Sequence, residues 1–226
     1  MEPLHLHRGL ALSQSKGFTL IELLVVLGVI MFVMAVVFTS QSTFTKTLIL
    51  KNTAYDIALT LRSAQTFGLG SRANTDGGVT SVNAGYGLHF QSATPDSFIL
   101  FADTSGGASC VGMTPDCKPG DHVYSSGADK SVQTYTLGNG IFVSDFCAYF
   151  GSGKACLSGT GFPVWGTSSL DIVFARPNPN VFIQASNLSI WTAACITLRS
   201  PQGDTRVVSI ASSGAITADA TSCPSI

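Results

Sequence analysis

The hydropathy pattern is dominated by one apolar run over residues 18–38, which follows a polar segment containing Arg8 and Lys16. The run's only charged residue is Glu22. As a helix it would measure ~31 Å, close to the ~30 Å hydrocarbon core of a bilayer. The pattern therefore predicts one membrane-spanning helix that carries an unexplained acid near its start.

Downstream of this run the chain has no proline before Pro95, and the sequence stays compatible with a helix to about Phe67. An apolar stripe at spacings of three and four predicts one amphipathic face that packs on a folded head. The stripe comprises Leu50, Ala54, Ile57, Leu61 and Ala64. We expect Gly68 and Gly70 to end the helix.

A second apolar stripe follows another side of this predicted helix. It comprises Phe44, Leu48, Tyr55 and Leu59. Two interpretations remain open, additional contact with the core of the head or contact with other protein molecules.

From residue 71 onward the pattern changes to short apolar runs bounded by Gly, Ser, Pro, Asn or Asp, which is typical of strands. The predicted strands are 85–90, 97–103, 131–137, 140–148, 170–176, 180–185, 193–200 and 205–211. Asn139-Gly140 tolerates positive φ and predicts a tight hairpin, and a second hairpin is predicted at Pro201 to Asp204. We therefore expect an α+β fold, with a long N-terminal helix and an antiparallel β head.

The chain has 226 residues, only 11% of them charged, and a formal net charge of -1. This composition favours a secreted or membrane-tethered β-rich protein over a typical soluble domain. It provides no general electrostatic attraction for nucleic acid or anionic lipid. The basic residues Arg8 and Lys16 precede the apolar run, and the next one is Lys46, which predicts a cytoplasmic N-terminus.

Two simple interpretations of the apolar run compete with a third. A secretory signal peptide ending at Val33 to Ala35 would have an unusually long apolar region with Glu22 inside it. A plain membrane anchor explains the length but leaves Glu22 as an energetic cost.

The third interpretation uses the motif KGFTLIELLVV, which resembles the processing site of type IV prepilins and type II secretion pseudopilins. In that family a basic leader ends in Gly, Phe follows, and a Glu lies four residues further on. Gly17, Phe18 and Glu22 occupy these positions. The resemblance implies that a prepilin peptidase cuts between Gly17 and Phe18 and methylates the new Phe18 amine.

The resemblance also implies a ladle shape and an assembly role for the N-terminal helix. It divides the chain into a cytoplasmic leader (1–17), a transmembrane part (18–41), an amphipathic continuation (42–69) and an extracytoplasmic head (70–226). Glu22 would pair with the Phe18 amine of its own or an adjacent subunit, because a buried charge is costly unless it is paired. The second stripe would then pack against neighbouring subunits.

The ending of the predicted β region is similar to that of the GspH/FimT-like class of minor pilins and pseudopilins, which favours a minor subunit. The implied partners are a prepilin peptidase, other pilin or pseudopilin subunits and an inner-membrane assembly platform. The head would be displayed in the periplasm or at the cell surface. A single-pass membrane protein whose head binds a ligand is the competing hypothesis.

All six cysteines lie in the predicted head: Cys110, Cys117, Cys147, Cys156, Cys195 and Cys223. Six cysteines allow 15 pairings. We prefer Cys110 with Cys117, Cys147 with Cys156, and Cys195 with Cys223, because the first two pairs close short loops. We expect no zinc site, since the pattern lacks a Cys-x-x-Cys pair.

The sequence has no nucleophile-elbow or zincin motif, so we expect neither an enzyme nor a cofactor. We interpret His89 as a strand residue. We expect Asp103, Asp116 and Asp121 to be solvated loop residues and not a calcium site.

DNA uptake is a further alternative, because some minor pilins of this class bind DNA through arginines near their ends. Arg176, Arg199 and Arg206 could share a face. From residue 71 onward, however, there are seven basic and ten acidic residues, so we expect no nucleic-acid partner.

Overall fold

The computed structural model describes residues 17–70, 74–76, 79–81, 84–104, 120–159, 164–176, 180–185 and 191–223. The chain divides into two compact units, residues 1–44 and residues 45–226. One helix, α1, runs from Leu20 to Leu69. Its stretch Leu20–Phe38 is long and apolar enough to cross a membrane, and the side chains of that stretch are not buried.

Within the second unit, α1 packs through the predicted amphipathic stripe. Leu50, Ala54, Ile57, Leu61 and Ala64 are each 0% exposed, which confirms this prediction. The helix ends at Leu69, and the Gly70 N–H donates to the Thr66 carbonyl at 2.9 Å. Gly68 is therefore a helical residue and not the stop signal that its type indicated.

Among the described residues, the other regular elements are strands. They are β1 Asn74–Asp76, β2 Val79–Ser81, β3 Gly85–Gln91, β4 Ser97–Asp103, β5 Lys130–Thr136, β6 Phe142–Phe150, β7 Gly153–Cys156, β8 Val164–Gly166, β9 Ser169–Phe174, β10 Val181–Ala185, β11 Ala193–Arg199, β12 Thr205–Ala211 and β13 Ile216–Ala220. The eight strands predicted from the sequence correspond to β3 to β6 and β9 to β12.

The strands form two larger sheets and a separate pair, β1 with β2. The five-stranded sheet has the order β10-β9-β3-β4-β5, and the six-stranded sheet has the order β13-β12-β11-β6-β7-β8. Within the described parts of the chain the pairs are antiparallel except β7 with β8, which are parallel. The α+β fold with an apolar N-terminal helix and an antiparallel head is thus confirmed.

Successive side chains along a strand point alternately into the core and to the opposite face of the sheet. On β3, Tyr86, Leu88 and Phe90 join the hydrophobic core, whereas the intervening His89 does not. The same core includes residues of α1 and of the six-stranded sheet, such as Ile196. Burial of each large side chain contributes about 1.5–3 kcal/mol, so this shared core holds the helix stripe and both sheets together.

The Asn139-Gly140 turn forms, but it does not close a hairpin. Both residues have positive φ, 59° and 70°, and the Ile141 N–H donates to the Gly138 carbonyl at 3.1 Å. The flanking strands β5 and β6 belong to different sheets. The hairpin prediction is therefore wrong, because the local turn chemistry is satisfied equally well by a connection between two sheets.

The second predicted hairpin is confirmed, since β11 pairs with β12 directly across the turn. The Ser200 N–H donates to the Asp204 carbonyl, and the Gly203 N–H donates to the Ser200 carbonyl, both at 2.9 Å. Gly203 has a φ of 96°, a conformation that glycine adopts at little cost.

Candidate processing and assembly segment

Gly17, Phe18 and Thr19 precede the helix, which begins at Leu20. The sequence predicted a helix from Phe18, so its start lies two residues later than expected. Phe18 is 81% exposed, and nothing lies within 4 Å of a Cβ built on Gly17. The Gly17–Phe18 peptide bond is therefore outside the hydrogen-bonded helix and accessible.

Thr19 explains the later start of the helix. The Leu23 N–H donates to the Thr19 carbonyl at 3.2 Å, and the Glu22 N–H donates to Thr19 Oγ1 at 3.3 Å. Thr19 is thus the N-cap residue, and Glu22 lies three positions later, the spacing of a capping box. This cap is a local signal that the sequence carries in TLIE and that sequence reasoning missed.

The position of Glu22 is favourable for a negative charge. It lies in the first turn of α1, where the helix dipole and the unpaired N–H groups favour an anion. Around it the large apolar side chains from Leu20 to Phe38 are exposed. This segment can therefore provide an apolar surface for lipid or protein, with one acid at its N-terminal end.

The second helix stripe lies at the surface of the second unit. Leu48, Tyr55 and Leu59 are 42%, 44% and 57% exposed, so they do not add core contact. The side chain of Phe44 lies outside the described residues. A groove of about 360 Å³ adjoins this stripe, lined by Leu59 of α1, Phe98 of β4 and Tyr135 of β5 among others.

Two disulfides lie in the six-stranded sheet and its continuation. Cys147 of β6 is bonded to Cys156 of β7, and Cys195 of β11 is bonded to Cys223 beyond β13. They coincide with two of the three pairs preferred from the sequence. The expected pair of Cys110 and Cys117 lies outside the described residues.

His89 lies on β3, as predicted, and contacts a buried carboxylate. Its Nδ1 is 2.7 Å from Asp171 Oδ1 on the neighbouring strand β9, where the two residues are directly paired. The Tyr124 N–H donates to the same oxygen at 3.3 Å. Burial raises the pKa of Asp171 above its ordinary value of 3.8, and the hydrogen bond from His89 opposes this effect.

Asp103 corrects the expectation of a solvated loop carboxylate. It is 0% exposed at the end of β4, and the N–H groups of Asp121 and His122 donate to its two oxygens at 3.2 and 2.9 Å. Burial raises the pKa of Asp103, and its contacts with His122 partly oppose this rise. Asp121 is exposed, as expected, and Asp116 lies outside the described residues.

Asp129 repeats the arrangement of Asp103. It accepts the Thr104 N–H at 2.9 Å and the Ser125 N–H at 2.7 Å. Carboxylate oxygens of Asp103, Asp121 and Asp129 lie within 4.8 Å of one another, and the ligand atoms of a cation site can have the same spacing. Because Asp103 and Asp129 accept backbone N–H groups, they anchor the segment Gly120–Asp129 against the five-stranded sheet.

The three arginines considered for DNA binding do not share a face. The register pairs Leu198 with Arg206 and Arg199 with Thr205. Leu198 points into the core, so Arg206 and Arg199 are on opposite faces of the six-stranded sheet. Arg176 follows β9 in the other sheet.

Residues 12–38 match the family model described as the prokaryotic N-terminal methylation motif. The matched range contains Gly17, Phe18 and Glu22, and it ends with the apolar stretch of α1. No curated protein and no solved structure matches the chain. The matched segment carries the N-terminal motif of type IV pilin-like prepilins, which are substrates of prepilin peptidase.

Proposed function

We propose that this protein is a structural subunit of a type IV pilus or a type II secretion pseudopilus. The observation that carries the proposal is the methylation motif over residues 12–38, because it coincides with an exposed bond before a long apolar helix. The C-terminal part of the helix packs on a β head, in the core that it shares with both sheets. This arrangement provides an assembly element and a displayed domain in one chain.

Processing takes place between Gly17 and Phe18. A peptidase needs an extended substrate backbone, and the bond precedes the first helical residue, Leu20. Glycine before the bond leaves the approach unhindered, since it has no side chain. Cleavage creates an amine on Phe18, which the same enzyme methylates.

Glu22 acts in assembly. Its carboxylate lies in the first turn of α1, and the large side chains of the stretch Leu20–Phe38 around it are apolar and exposed. In a bundle of such helices an unpaired charge would cost several kcal/mol, so only a register that pairs Glu22 with a Phe18 amine is favourable. Glu22 thereby selects the register of each incoming subunit.

The exposed stripe of Leu48, Tyr55 and Leu59 gives the second unit an assembly surface of its own. An exposed apolar stripe of this kind favours contact with another protein, here a neighbouring pilin or pseudopilin subunit. The leader (1–17) lies in the cytoplasm and the head (70–226) on the other side of the membrane. Assembly takes place at an inner-membrane platform, and the filament displays the head in the periplasm or outside the cell.

We further propose a minor subunit of the GspH/FimT-like class. The support is the β11–β12 hairpin followed by β13, together with disulfides that link β6 to β7 and β11 to the segment after β13.

The test is the mass of the full chain, expressed in bacteria with and without a prepilin peptidase. With the peptidase, the protein should lack residues 1–17 and carry one methyl group on the Phe18 amine. A matched variant, Gly17→Leu, places a bulky side chain at the scissile bond and should remain uncleaved. An intact N-terminus in the presence of the peptidase, or cleavage near Ala35, would contradict the proposal in favour of a plain anchor or a signal peptide.

A further inference from the structure

Three cysteines lie in one row across the six-stranded sheet. Cys147 on β6 pairs directly with Cys156 on β7 and, on its other side, directly with Cys195 on β11. Directly opposed residues of antiparallel strands point to the same face of a sheet. Because Cys195 is bonded to Cys223, the two disulfides lie next to each other on this face.

Cys195 therefore has two cysteines within bonding reach. Directly opposed Cα atoms in antiparallel strands are ~4.5–5.5 Å apart, and disulfides join Cα atoms ~4.4–6.8 Å apart. The Leu157 N–H donates to the Phe146 carbonyl at 2.9 Å, so the backbone groups of Cys147 face β11 and not β7. The Cys147–Cys195 pair then has the wider spacing of ~5.5 Å, which a disulfide still spans.

Exposure differs among the four sulfur-bearing residues. Cys147, Cys156 and Cys195 are 7%, 2% and 1% exposed. Cys223 is partly exposed. A small thiol from solvent therefore reaches the Cys223 sulfur first, and the sulfur that leaves is that of the buried Cys195.

We propose that this row is a thiol–disulfide exchange site whose reactant is a small thiol. An external thiolate attacks the Cys223 sulfur, the Cys195–Cys223 bond breaks, and Cys195 leaves as a thiolate. The Cys195 thiolate attacks the Cys147 sulfur, the Cys147–Cys156 bond breaks, and Cys156 leaves as a thiolate. Two disulfides and one thiolate exist before and after, so the sequence needs no oxidant or net reductant.

The row sets the direction of the second step. Since Cys195, Cys147 and Cys156 follow one another across adjacent strands, Cys195 approaches Cys147 from the side opposite to Cys156. Displacement at sulfur requires this direction of attack. The outcome is that the segment after β13 loses its covalent link to β11, while a new disulfide keeps β6 and β11 joined.

The test uses the full chain in detergent, with Cys110→Ser and Cys117→Ser in every variant so that labels report on the four remaining cysteines. Cys223→Ser creates the Cys195 thiol without any reductant. Alkylation followed by cleavage at basic residues and before Asp171 places Cys156 and Cys195 in different peptides. We expect a Cys147–Cys195 cross-link and alkyl label on Cys156 of the same order as on Cys195. Label confined to Cys195, with Cys147–Cys156 intact, would overturn the proposal.

Cys156→Ser is the matched variant that tests exchange in the opposite direction along the row. It leaves the Cys147 thiol beside the Cys195–Cys223 bond, and we expect label to appear on Cys223. If these variants do not fold, the chain that retains all four cysteines is treated with reduced glutathione. Glutathione on Cys223 with alkyl label on Cys156 supports the exchange. Label confined to Cys195, or no glutathione on Cys223, overturns it.

Discussion

Gly68 of α1 lies directly against the backbone carbonyl of Phe174 on β9. A Cβ atom built on Gly68 would overlap the Phe174 oxygen and would also come within 3.0 Å of the Phe174 Cβ. The helix approaches the five-stranded sheet this closely only because residue 68 has no side chain. This contact fixes the distance between the last turn of α1 and the sheet.

We predict that Gly68→Ala destabilises the head despite the higher helix propensity of alanine. The carbonyl that it meets belongs to β9, which is paired on both sides and cannot rotate away, so the overpacking should cost about 1–3 kcal/mol of the free energy of unfolding. Urea denaturation of the full chain in detergent measures this cost. Gly138→Ala is the control, because nothing lies within 4 Å of its Cβ, and a loss in Gly68→Ala no larger than the control would contradict the contact.

Leu59 and Leu61 lie within one helix turn, and their alanine variants distinguish a role in assembly from a role in stability. Leu61 is 0% exposed, so Leu61→Ala should cost about 2–5 kcal/mol. Leu59 is 57% exposed, so Leu59→Ala should change the free energy of unfolding by less than about 0.5 kcal/mol. We expect Leu59→Ala to lower the protein's share in sheared filaments several-fold with normal stability, and an unchanged share would remove this surface from the assembly interface.

The sequence predicted β3 to β6 and β9 to β12 because each is a short apolar run between turn residues, whereas it missed β1, β2, β7, β8 and β13. Apart from the hairpin of β11 and β12, it did not predict which strands meet. Asn139-Gly140 illustrates the reason, since its positive φ values satisfy a hairpin and a crossover between sheets equally well. Local chemistry determines the turn, whereas the choice of partner strand depends on core packing that sequence neighbours do not encode.

The N-terminal part of the candidate site was predictable from the sequence because its motif is local. Gly17, Phe18 and Glu22 are separated by a few residues, and even the cap at Thr19 is visible in TLIE once the capping box is considered. The burial and contacts of the carboxylates were not predictable in this way. Asp171 and His89 meet only because β9 pairs with β3, so a contact across 82 residues of sequence depends on sheet order.

We predict that Asp171 makes the stability of the head fall as pH rises above 3.8. Burial raises the native pKa of Asp171 above its ordinary value of 3.8, so the folded chain keeps a proton that the unfolded chain has lost. In this window folding binds protons, and the free energy of unfolding decreases with rising pH. Asp171→Asn removes the titrating group, so its stability relative to wild type should increase across the window, as measured by urea denaturation at successive pH values. Parallel curves for the two proteins would contradict the assignment.

Glu22→Gln separates the charge of Glu22 from its size. The variant keeps the length of the side chain and a capping oxygen, so we expect α1, membrane insertion and cleavage after Gly17 to be preserved. It cannot neutralise a Phe18 amine in an apolar helix bundle, where an unpaired charge costs several kcal/mol. Quantifying the cleaved protein in membranes and in sheared filaments should therefore show normal processing with filament incorporation reduced at least about tenfold, since 1.4 kcal/mol already corresponds to that factor.

Glu22→Asp, which retains the charge, should incorporate better than Glu22→Gln. Equal incorporation of Glu22→Gln and wild type would show that the carboxylate acts only as a helix cap.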